Sequence, residues 1–108
     1  MNTEELQVAA FEIILNSGNA RSIVHEAFEA MREGKYDLAT EKLKASNEEL
    51  LKAHQAQTDL LQEYACGTEI NVEIIMEIIM VHAQDHLMTT MTLREVALEM
   101  LELYKKVG

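Results

Sequence analysis

His82, Asp85 and His86 are the residues of this chain whose type and spacing could do chemistry. At i, i+3 and i+4 of a helix they fall on neighbouring positions of one face. His82 with His86 is a pair able to hold one metal ion, and Asp85 could add an oxygen. No Glu-x-x-His occurs in the chain, which removes the di-iron carboxylate bundles, and no His-Glu-x-x-His occurs, which removes the zinc-protease helix. A catalytic zinc would need a third ligand from elsewhere, for which His25 and His54 are the candidates. A Gly-x-Ser-x-Gly elbow and a phosphate-cradling glycine loop are both missing. Cys66 has no cationic neighbour to lower its pKa. A histidine can also act alone, accepting a phosphoryl group on a neutral ring nitrogen. Such a site needs little more than one tautomer and a nearby donor such as Gln84 or His86. A plain core or interface histidine remains the alternative.

Asp85 poses a separate question. Lys and Arg are absent from the 41 residues Ala53 to Leu93, so no local cation is at hand. Asp85 projects between Ile78 and Val96, and burial there would cost several kcal/mol by a rough estimate unless something compensates it. A bound metal, a protonated imidazole, or Arg21 or Arg32 from the first arm could do so. Symmetry that gathers copies of Asp85 at an axis would call for a hard cation among them.

The elements that must position these residues follow from the breaks. There is no proline, and the four glycines stand at 18, 34, 67 and 108. They predict one kinked arm and two long helices, Thr3 to Glu33, Lys35 to Cys66 and Asn71 to Lys106, with Asn19 and Asn71 as N-caps. Short connections make neighbours antiparallel, so the expected fold is all-α, an up-and-down three-helix bundle with its first helix kinked, in a single domain over 1–108. On the middle arm Tyr36, Ala39, Leu43, Ser46, Leu50, Ala53, Gln57, Leu60 and Tyr64 alternate three-four spacing and mark a seam, with Ser46 and Gln57 as polar intrusions, read as register-setting or partly wet core positions ahead of a site role. The last arm is apolar or small almost all the way round from Ile74 to Leu93. A lone bundle needs only one buried stripe, so a second stripe of Met76, Met80, Leu87, Met91 and Leu98 predicts self-association.

Composition limits the partners. Nine Lys and Arg against nineteen Asp and Glu give a net charge of −10, which leaves no basic surface for nucleic acid. The stretch Ile70 to Val81 is interrupted by Glu73 and Glu77 and is too short to span a bilayer. One cysteine and an acidic beginning without a secretory pattern predict a cytoplasmic protein with no internal disulfide.

The run Val81-His82-Ala83-Gln84-Asp85-His86-Leu87-Met88-Thr89-Thr90 resembles the active-site segment of the lactose/cellobiose-type IIA components of the bacterial phosphoenolpyruvate-dependent sugar phosphotransferase system. Two further blocks, Asn16-Ser17-Gly18-Asn19-Ala20-Arg21-Ser22 and Ala53-His54-Gln55-Ala56-Gln57-Thr58, stand in that family's order and approximate distances. The resemblance implies a homotrimer of three-helix subunits that takes a phosphoryl group from phospho-HPr and passes it to a cysteine of the IIB component, which serves the IIC membrane permease. It implies that His82 is phosphorylated through Nε2 and that His86 and Gln84 contact the phosphoryl oxygens. It also implies that three copies of Asp85 share one magnesium ion per trimer. The competing class is a non-enzymatic helical interaction or regulatory module whose histidine pair binds metal or packs. Which β-linked sugar is served is expected to be decided by the membrane component.

Overall fold

A computed structural model describes residues 3–65 and 74–108, with the side chains of 4–60, 62 and 79–108. Among these residues the chain is three α-helices and no strand: α1 (Thr3–Arg32), α2 (Tyr36–Ala65) and α3 (Ile74–Val107). Its long dimension is 54 Å, the length expected of a 34-residue helix rising about 1.5 Å per residue. Glu4 and Glu5 in the first turn of α1, and Lys105 and Lys106 in the last turn of α3, complement the helix dipoles.

Gly34 makes the first turn. The Lys35 amide donates to the Ala30 carbonyl at 2.8 Å and the Gly34 amide to that of Met31 at 3.1 Å, closing α1 with a left-handed glycine at φ 74°. The Lys35 carbonyl then accepts from the Ala39 amide and begins α2. Gly18, in contrast, lies inside α1, which runs unbroken through it. Asn19 therefore caps nothing. Its flanks keep the helical apolar period through Ile13, Ala20 and Val24, and tertiary burial of those positions outweighs the roughly 1 kcal/mol that an interior glycine costs. Gly67, Cys66 and the expected cap Asn71 lie outside the described residues.

Direction follows from cross-helix bonds. Gln57 of α2 meets Gln84 of α3, and eleven residues back along α2 Ser46 meets Arg94, ten residues forward along α3. Those helices are antiparallel. Ala10 and Ile13 cluster with Ala83 and Leu87, whereas Val24 and Ala27 cluster with Ala97 and Leu101, so α1 and α3 are parallel. The seam expected on α2 is the one buried: Ala39, Leu43, Ser46, Leu50, Ala53 and Leu60 are all inside. Alanine supplies much of the interior, at 10, 20, 27, 30, 39, 53, 56, 83 and 97, which lets the three backbones approach closely.

The expected outer stripe of α3 is corrected. Leu87 is fully buried in the subunit's own core, and Met80 and Met91 pack partly buried against it. Only Leu98 of that set is exposed, and the side chain of Met76 lies outside the described residues. The apolar face turned outward is instead Val81, Met88, Val96 and Leu103, opposite the buried line of Ala83, Leu87, Thr90, Ala97 and Leu101. The sequence pattern alone cannot choose between two apolar arcs of one helix; packing against α1 and α2 does.

Candidate functional site

The site is built on the first half of α3, where one helical turn presents four polar side chains in four different surroundings. His82 is exposed and His86 half-buried, and their rings stand edge to face with centroids 6.0 Å apart and planes at 82°. The i, i+4 spacing brings them together and makes one surface of two imidazoles. The Nδ1 atom of His86 is buried and without a hydrogen-bond partner, which leaves Nε2 as the atom of that ring able to meet a ligand.

Asp85 is exposed in the subunit, and no described cation forms an ion pair with it. The desolvation cost expected for it therefore does not arise within one chain. Neither Arg21 nor Arg32 reaches it. Asp85 sits within the outward apolar line, one turn from Val81 on one side and from Met88 on the other.

Gln84 is separated from the histidines by the helix itself. Residues at i and i+2 do not face one another, and Gln84 turns toward α2, where its Oε1 accepts from Nε2 of Gln57. Within one subunit His82 and His86 are thus brought together, Asp85 stands between the two flanks, and Gln84 lies on the far flank. Gln57 belongs to this group, although the sequence favours a register-setting or partly wet core position for it over a site role; its polarity on a mostly apolar seam is the one signal that points to it.

The other histidines are elsewhere. His25 is exposed on α1 and tilts against Phe28 with centroids 6.1 Å apart, beside the Val24 to Leu101 cluster. His54 is exposed on α2 and borders a groove of about 260 Å³ with Leu50, Leu51, Met91, Arg94 and Glu95. Among the described residues no cluster of three His, Cys or acidic side chains able to hold a metal forms within the chain. Neither His25 nor His54 joins the His82–His86 pair in such a cluster.

The phosphoryl-acceptor candidate lies at the surface. His82 is open to solvent beside exposed Val81. A family model described as the lactose/cellobiose-specific IIA subunit of the phosphotransferase system matches residues 8–105. The chain belongs to this IIA family.

Relatives agree over nearly the whole length. The chain is 45% identical to a lichenan-specific phosphotransferase enzyme IIA component of Bacillus subtilis, over 96% of this chain and 91% of that one. Among solved structures it is similar to PtcA from S. mutans, at 83% identity and a TM-score of 0.90, with 97% of this chain and 99% of that one covered. It is also similar to the chitobiose IIA of Escherichia coli, solved in complex with HPr, at 34% identity and a TM-score of 0.78, covering 94% of this chain and 95% of that one. The three-helix, all-α architecture is thus that of the IIA family, and the chain is a component of a sugar phosphotransferase system. Among the described residues no helix is long and apolar enough to cross a membrane.

Proposed function

We propose that this IIA chain is a cytoplasmic phosphocarrier that accepts a phosphoryl group from phospho-HPr on Nε2 of His82. It then delivers the group to a cysteine of the cognate IIB component during uptake of a β-linked disaccharide. The observation that carries this reading is the exposed His82 ring backed edge-on by half-buried His86. The E. coli relative solved with HPr supports the choice of donor.

The step needs an in-line approach and little else. The lone pair of neutral Nε2 attacks phosphorus, the new N–P bond forms as the bond from phosphorus to the donor breaks, and the electron pair leaves with the donor. In the second step a thiolate of IIB attacks, an S–P bond forms, and the N–P electron pair returns to the imidazole. His86 supports the group from its accessible nitrogen. With no described Lys or Arg beside His82, the phosphoryl group stays weakly stabilised and keeps its transfer potential.

Assembly completes the site. The outward line Val81, Asp85, Met88 and Val96 repeats at spacings that suit a helical seam, and eleven large apolar side chains are exposed among the described residues, more than an isolated bundle has use for. A homotrimer with three copies of α3 at its axis buries that line. His82 and Gln84 then flank the seam on opposite sides at nearly the same height, so each His82 faces the flank that bears Gln84 in the next subunit. Asp85 supplies carboxylate oxygen, the donor type a hard divalent cation such as magnesium takes, and three copies at an axis would hold one ion and relieve their mutual repulsion. The net charge of −10 suits a basic docking face on the donor and speeds encounter more than it adds affinity.

Mass spectrometry after incubation with phosphoenolpyruvate and the general transfer proteins tests the reading. One acid-labile phosphate per chain is expected. Absence of any phosphate would leave a helical interaction module as the better account.

A further inference from the structure

Two polar side chains interrupt the α2 seam, and their partners differ in kind. Ser46 is wholly buried, donates to the Leu43 carbonyl at 2.7 Å and accepts from Nε of Arg94 at 3.2 Å, far along α3 from the histidines. Gln57 is half-buried and donates its amide nitrogen to Oε1 of Gln84, which is itself half-buried at the edge of the histidine turn.

A primary amide is an acceptor at one end and a double donor at the other. Because Oε1 of Gln84 is engaged by Gln57, the end left for a ligand is its NH2 group. A phosphoryl group offers acceptor oxygens only, so that end is the one able to hold it. A glutamine free to turn would present either end and would lose side-chain entropy whenever it engaged.

We propose that Gln57 is a positioning residue: it fixes the Gln84 amide with its nitrogen outward, and so makes Gln84 a donor to the phosphohistidine without itself touching the phosphoryl group. The inference rests on the phosphocarrier reading above and extends the site from α3 onto α2. Gln57 has no charge to contribute and lies behind Gln84 on a neighbouring helix. Its whole effect on the chemistry is routed through one amide.

The experiment uses the full chain charged by phosphoenolpyruvate and the general transfer proteins. Gln57→Leu and Gln57→Glu are each made alone and combined with Gln84→Leu, and sedimentation compares their assembly with that of the parent. The lifetime of the phosphohistidine after donor removal and its phosphorus-31 shift are measured for every variant. Gln57→Leu is expected to shorten the lifetime about fivefold, the worth of one orienting neutral hydrogen bond. Gln57→Glu is expected to shorten it further, by about tenfold or more, because a carboxylate only accepts, captures the Gln84 nitrogen and turns Oε1 toward the phosphoryl oxygens. In the Gln84→Leu background both changes should leave lifetime and shift where Gln84→Leu alone puts them.

Gln57 changes that act equally with and without Gln84 would mark a packing residue and overturn the proposal. So would a Gln57→Glu chain whose lifetime and shift match the parent. Should Gln57→Glu fail to fold, the apolar Gln57→Leu cycle separates the same two outcomes. A parent that takes no phosphate overturns the carrier reading and this inference together, whereas a charged parent with independent effects overturns this inference alone.

Discussion

Arg94 reaches from α3 to Ser46 on α2, its Nε 3.2 Å from the hydroxyl and 3.1 Å from the Leu43 carbonyl. Ser46 donates to that same carbonyl, so a buried hydroxyl on an apolar seam has both a donor and an acceptor as partners. Loss of the guanidinium leaves the Ser46 proton satisfied but removes a charge-assisted tie between two helices. Arg94→Leu is expected to destabilise the subunit by about 1.5–3 kcal/mol, read by urea unfolding. Arg94→Lys should not rescue it, because both contacts share the single Nε–H and lysine carries a methylene at that place in its side chain.

Ser17 and Thr90 are the opposite case. Both are fully buried and neither hydroxyl has a partner. Ser17→Ala and Thr90→Val remove an orphaned hydroxyl at little change in volume, and each is expected to leave stability unchanged or raise it by up to about 1 kcal/mol. A fall of the unfolding midpoint in either variant would show a hydrogen bond that is made in solution.

Gly34 sits at a φ that side-chain-bearing residues avoid. A Cβ there meets no atom within 4 Å, so space is not the obstacle. Gly34→Ala is expected to cost about 1–2 kcal/mol from backbone conformation alone, measurable as a lower thermal midpoint. Gly18→Ala, within a helix and equally uncrowded, should stabilise the chain by up to about 1 kcal/mol.

For the carrier step, His82→Gln should fold and assemble like the parent yet gain no acid-labile phosphate. Normal labelling of that variant would place the acceptor elsewhere.

If the chain forms the proposed trimer, Asp85→Leu should keep or raise its stability, since packing replaces an anion that assembly would bury. Sedimentation of the variant as monomers, at concentrations where the parent is trimeric, would remove the axial placement of this residue.

The α2 seam is legible in the sequence because Tyr36, Ala39, Leu43, Ser46, Leu50, Ala53, Gln57, Leu60 and Tyr64 follow an unbroken three-four spacing. His82 and His86 are legible for the same reason, as a fixed spacing on one helix predicts proximity without any tertiary knowledge. Gly18 misleads because a glycine looks alike in a turn and in a helix interior, and only long-range packing distinguishes them. Met80, Leu87 and Met91 fall on a face other than the one expected because α3 is apolar around most of its circumference. The Gln57 to Gln84 contact needs the relative height of two helices, and no local pattern encodes that.

On the proposed trimer, the separation of His82 from Gln84 by the body of α3 leaves a solitary molecule the owner of two half-pockets and no whole one. On the proposed arrangement, dilution into single chains strips every phosphorylated ring of its amide neighbour at once. Competence as a relay would then rise steeply with cellular abundance, and a strain making too little of the protein would hold a stock of idle, unmatched parts.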